Sequence, residues 1–144
     1  MKHLKKILLV LLLTIIPFIK VQANTISKIT MDIYVDQDGN ATITETWDSY
    51  TNQGTEGYHP FYNYGNSEFE VISASMDGEP YTVESYWNVN NSFDEKAYKT
   101  GIYRTYNSEV GSSEIDICFG ITNYGSHTYE VKYKINKFVK NLND

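Results

Sequence analysis

Beyond its first residues the chain offers few groups for covalent or proton-transfer chemistry: one cysteine, Cys118, and two histidines, His59 and His127. A Cys118–His127 pair would be a nucleophile–base arrangement, and it would make the protein a cell-surface hydrolase. Two features argue against it. No basic residue adjoins Cys118 to lower its thiol pKa, and a histidine at a strand start ordinarily bonds its own turn. The histidines form no HExxH, HxxxH or Cys-His metal spacing, and no G-x-S-x-G, phosphate loop or paired-carboxylate motif occurs. The sequence therefore assigns no catalytic residue, no metal and no cofactor.

Oxygen donors come next. Asp36, Asp38 and Asn40 open like a calcium loop, but an EF-hand needs glycine and glutamate where the chain has Ala41 and Trp47, so a plain Asp-Gly turn is expected. Glu45 stands at an apolar parity between Ile43 and Trp47, as the partner of a buried cation, at a strand bend, or on a partly exposed edge. Tyr50 to Ser67 holds five aromatics without a sustained period and reads as a long ordered loop. Tyr58, His59, Tyr62 and Tyr64 are its candidate binding residues, since tyrosines offer large faces with a polar tip to a sugar or peptide. The competing reading has Tyr58, Phe61 and Tyr64 pinning the loop to the fold.

These residues must be placed by strands. Ile29, Met31, Ile33 and Val35 alternate with polar residues, the turn 36–40 follows, and Ala41, Ile43 and Trp47 resume the spacing, which predicts a hairpin over 28–48 with one buried face. Glu68–Met76 and Tyr81–Trp87 flank a second turn signal at 76–80 and predict a second hairpin, with less regular faces. A short strand is expected near 101–106. Ser112–Phe119 and His127–Ile135 alternate cleanly around a glycine-containing connection and predict a closing hairpin. Cys118 falls on the parity opposite Ile117 and Phe119, facing solvent or a second layer. With no helical period, six to seven strands define an antiparallel β-sandwich, immunoglobulin-like in architecture only, with a small open barrel as the alternative.

Residues 1–23 have the order of an export signal: basic Lys2, Lys5 and Lys6, an apolar run from Ile7 to Ile19, then Val21-Gln22-Ala23. Residues 24–144 would form one domain. Without the leader, eight basic residues face eighteen acidic ones, a net charge of −10. That excess argues against nucleic acid and against anionic lipid head groups. A single cysteine excludes an intrachain disulfide.

Taken in order, Ile33-Tyr34-Val35, Asp38-Gly39-Asn40-Ala41-Thr42-Ile43-Thr44-Glu45-Thr46-Trp47, Glu56-Gly57-Tyr58, Cys118-Phe119-Gly120-Ile121 and Tyr124-Gly125-Ser126-His127-Thr128-Tyr129-Glu130-Val131-Lys132-Tyr133 resemble the N-terminal domain of the DUF2207 proteins, exported membrane-associated bacterial proteins of unknown function. The resemblance spans essentially the whole domain and implies a cell-envelope location without implying catalytic residues. Where many members carry arginine after the loop glycine, this chain has Tyr58-His59-Pro60, so no role of that arginine transfers. Members usually continue into membrane spans, whereas this sequence stops at Asp144, as a truncated product or a fragment would.

The expectation is an exported, non-catalytic domain, extracellular or on the outer face of the cytoplasmic membrane. It would bind an unknown protein or glycan at the cell surface. Membrane contact would come only through an uncleaved leader or a missing C-terminal portion.

Overall fold

Residues 41–51 and 125–136 carry the most regular alternation in the chain, and they lie side by side at the centre of the larger sheet. The computed structural model describes residues 23–62, 64–107 and 112–139; the expected export signal lies outside them apart from Ala23. In chain order the elements are β1 (Thr25–Val35), β2 (Ala41–Thr51), β3 (Glu56–Tyr62), β4 (Glu68–Met76), β5 (Glu79–Pro80), β6 (Thr82–Val83), a one-turn helix α1 (Phe93–Lys96), β7 (Lys99–Asn107), β8 (Ser112–Gly120) and β9 (Gly125–Asn136). They form two open sheets, β1-β2-β9-β4-β5 and β3-β8-β7-β6. The protein is an all-β sandwich, with seven long strands and two two-residue ones among the described residues, and not a barrel.

Directly paired residues share a face, so the register shows how the core is assembled. Ala41, Ile43, Glu45 and Trp47 of β2 oppose Ile135, Tyr133, Val131 and Tyr129 of β9. On the other side of β9 lie Phe69, Val71, Ala74 and Met76. From the second sheet Ile115, Ile117 and Phe119 close the core, and Phe119 meets Trp47 edge-on at 5.7 Å and Tyr129 at 5.0 Å. A bulge between Val71 and Ser73 shifts the parity of β4 and leaves Ile72 exposed. This extra residue is why the faces of β4 look irregular in the sequence.

The first hairpin forms as expected. Its turn is an Asp turn: Asp36 Oδ1 accepts from the N–H groups of Asp38 and Asn40, Oδ2 accepts from the Asn40 amide, and Gly39 takes φ 78°. Those bonds hold the Asp36 carboxyl below its ordinary value. Its expected buried face does not materialise on β1, every residue of which is exposed. The second sheet has one strand fewer and ends at β3, so β1 overhangs.

Three further expectations are corrected. The closing strands are not a hairpin: β8 pairs with β3 and β7, while β9 pairs with β2 and β4 in the opposite sheet. Residues 121–124 cross between layers, and each strand's alternation reflects a central position in its own sheet. The second hairpin ends after Pro80, because Thr82 and Val83 leave for the other sheet and pair in parallel with Lys99 and Thr100. Residues 84–97 then run over that sheet's outer face as a cap. Among the described residues the absence of helix holds except for α1, a single turn with a Ser92–Glu95 capping box.

Candidate functional site

The segment expected to be a loop is largely strand. Residues 56–62 form β3, paired with β8 from Glu56↔Gly120 to Tyr62↔Glu114. The pleat therefore separates the candidate binding residues. Tyr58 and Tyr62 point outward beside Cys118 and Glu114 and are well exposed, whereas His59 points inward. Tyr64, beyond the strand, packs edge-on to Phe69 at 5.5 Å and serves the core. Gly57 is needed on the inner face because a Cβ there would overlap the Phe119 ring.

The outer face of the four-stranded sheet is divided in two. Over one half lies the cap, seated so closely that a Cβ at Gly120 would overlap the Lys96 carbonyl, while one at Gly101 would come 3.1 Å from the Glu84 oxygen. Lys96 is buried, its Nζ 3.1 Å from Glu56 Oε2, donating to Thr55 Oγ1 at 3.1 Å and to the Val89 carbonyl at 2.8 Å. Trp87, also buried, donates its Nε1 to the same Glu56 oxygen. A buried ammonium is tolerated only when its donors are matched, and these contacts fix the cap on the sheet.

Past the cap the same face is open. It carries Tyr58, Pro60 and Tyr62 of β3, Asp116 and Glu114 of β8, and Tyr103 and Thr105 of β7. Exposed Tyr86 leans on Tyr103 at 6.4 Å. Asp116 sits in register between Pro60 and Tyr103. Among the described residues Asp116 Oδ1 is shut off from water without a hydrogen-bond partner. Burial, then the charges of Glu114 and Glu56, push its carboxyl up to about 6. Glu114 differs in that it engages the Tyr62 hydroxyl and raises that phenol above its ordinary value. The face is thus aromatic, acidic and short of one hydrogen-bond donor.

The inner face holds the opposite arrangement. Glu45 is buried between the sheets and accepts from Trp47 Nε1 at 2.8 Å, from His59 Nδ1 at 2.7 Å and from the Tyr133 hydroxyl. His59 is held flat against Phe61, with ring centroids 4.5 Å apart. Burial pushes Glu45 up, but the hydrogen bonds from His59, Tyr133 and Trp47 outweigh it and leave the carboxyl below its ordinary value. Tyr133 is pushed up by burial and by the carboxylate it serves. Glu45 thus resolves as a buried acid paired with His59, and not as an exposed edge.

Cys118 and His127 are not brought together. Cys118 lies buried on the outer face of β8, where the cap forms a second layer over it, and burial, followed by Asp116 and Glu56, raises its thiol far above the usual range. His127 is on β9 opposite Ser49, its Nδ1 2.7 Å from Asp77 Oδ2. Asp77 also accepts from the Thr128 N–H at 2.9 Å, and this cluster ties the β4–β5 turn to β9.

Asp116, Glu114, Tyr103 and Tyr86 were not among the residues singled out in the sequence. The only available signal was an acid on the wet parity of a strand. Comparison of the chain with protein-family models, curated proteins and solved structures gave no match. Among the described residues no helix is long and apolar enough to cross a membrane.

Proposed function

We propose that the chain is an exported, non-catalytic interaction module of the cell envelope that binds a basic segment of a partner protein on the open half of its four-stranded sheet. The observation that carries this reading is Asp116, a carboxylate whose Oδ1 has no donor among the described residues, set among Tyr58, Tyr62 and Tyr103. A lysine or arginine head group brings a charge to offset Asp116 and Glu114, while the exposed rings of Tyr58 and Tyr62 take its stem and cation by stacking and cation–π contact. The chain's acid excess draws basic partners from a distance.

The export-signal pattern of residues 1–23 and the resemblance to the DUF2207 N-terminal domain support the envelope location. In this reading any membrane attachment comes through an uncleaved leader or through sequence beyond Asp144. The hydrolase alternative loses support from the separation and burial of Cys118.

The test is an NMR titration of the purified chain with short lysine- and arginine-rich peptides and, in parallel, with neutral oligosaccharides. Salt-sensitive shifts at Tyr58, Tyr62, Tyr103 and Asp116 with the peptides are expected. Shifts there with the oligosaccharides alone reassign the face to glycans, and shifts confined to other surfaces reject it.

A further inference from the structure

We infer that β1 is a self-association edge, on which a second copy of this chain pairs antiparallel about a two-fold axis at Thr30. The overhang supplies the motive: Ile26, Ile29, Met31, Ile33 and Val35 are each 40% exposed or more. Across β2 they face Ser49, Trp47, Glu45, Ile43 and Ala41, which places them on the core side of the sheet. A free strand of this length with an apolar face is a template for further pairing unless something blunts it.

The other outer strands are blunted. β5 and β6 are two residues long, and β3 carries Pro60, which has no N–H to offer. β1 runs for eleven residues without proline.

Charge then selects the occupant and the register. On the outward face of β1 stand Lys28, Thr30, Asp32 and Tyr34, opposite Asp48, Thr46, Thr44 and Thr42 of β2. Among the described residues neither Lys28 nor Asp32 is in an ion pair. When two copies of β1 pair antiparallel with Thr30 opposite Thr30, Lys28 of each copy faces Asp32 of the other. On the apolar face Ile29 faces Met31, again twice. Shifting the register to centre on Asp32 sets the two aspartates against each other. The edge is therefore complementary to itself in one register, as an isologous interface requires, and opposite charges directly across a strand pair favour it. Pairing continues the five-stranded sheet into one of ten strands, leaving the Asp116 face free on both copies.

Sedimentation velocity on the purified chain, with its N-terminus determined, tests the inference. A reversible dimer is expected. Asp32→Lys should weaken it at least tenfold, and Lys28→Asp combined with Asp32→Lys should restore it. With diamide as oxidant, Thr30→Cys should cross-link, since directly opposed Cα atoms lie about 4.5–5.5 Å apart, within the Cα span of a disulfide, while Tyr34→Cys should not. Cys118 is buried in all variants. A chain that stays monomeric, because the edge serves another segment or partner, overturns the inference. So does association unaffected by Asp32→Lys, or cross-linking at position 34 as readily as at position 30.

Discussion

Glu45 between the sheets and Asp116 Oδ1 on the outer face of the smaller sheet are both shielded from water, yet their surroundings treat the two carboxyls oppositely. Glu45 accepts from Trp47, His59 and Tyr133 and stays ionised below its ordinary pKa. Asp116 Oδ1 has no partner among the described residues, and its carboxyl is raised to about 6. Burial acts in the same direction on both, so the donors decide the outcome. A satisfied carboxylate inside a fold is part of its structure. An unsatisfied one flanked by exposed aromatics is where we propose that a basic ligand binds.

The largest effect should come from the satisfied site. Glu45→Ala strands the buried Tyr133 hydroxyl and the part-buried Trp47 and His59 donors and should cost about 2–4 kcal/mol of stability in urea unfolding; a loss under about 1 kcal/mol would undo the structural half of the comparison. Gly120→Ala should follow at about 1–3 kcal/mol, since the new methyl group displaces the Lys96 backbone. It should also open Cys118 to alkylation, a thiol that should resist the reagent in the unaltered protein.

Opposite pH dependences sharpen the comparison. The folded pKa of Glu45 lies below 4.5, so its contribution is complete above the unfolded value and is lost as pH falls through the folded one. For Asp116 the folded value of about 6 exceeds 3.8, so the native state binds more protons between these values and stability falls as pH rises through that window. Asp116→Asn should remove that slope and, near neutral pH, raise stability by about 1 kcal/mol or less once solvent screening is counted. Denaturant midpoints at a series of pH values measure it. Replacing Tyr58 and Tyr62 with serine should change stability least, within about 0.5 kcal/mol for each exposed site, while weakening the basic peptide at least tenfold.

Much of the architecture was legible because alternation reports which face a residue takes. The first hairpin, the sandwich and the inward residues of β8 and β9 follow from it. Alternation does not report which strand lies alongside, so β8 and β9 looked like partners although they face each other across the core. β3 was hidden because Gly57 and Pro60 interrupt its period, each for a local reason: close approach by Phe119 and a place on the sheet edge. Glu45 was visible as an acid at an apolar parity, but His59 and Tyr133 reach it only through the tertiary fold. Asp116 gave less sign still. Its neighbours Pro60 and Tyr103 are set by the register of three strands, and the pattern of one strand cannot contain that.

The most direct test of the central claim is the affinity of a lysine-rich peptide for the unaltered chain and for Asp116→Asn, measured by calorimetry at neutral pH beside an unfolding curve of each. The account predicts at least a tenfold loss of affinity, about 1.4 kcal/mol, with stability unchanged or slightly raised. Equal affinity in the two proteins, or a loss accompanied by unfolding, would contradict it.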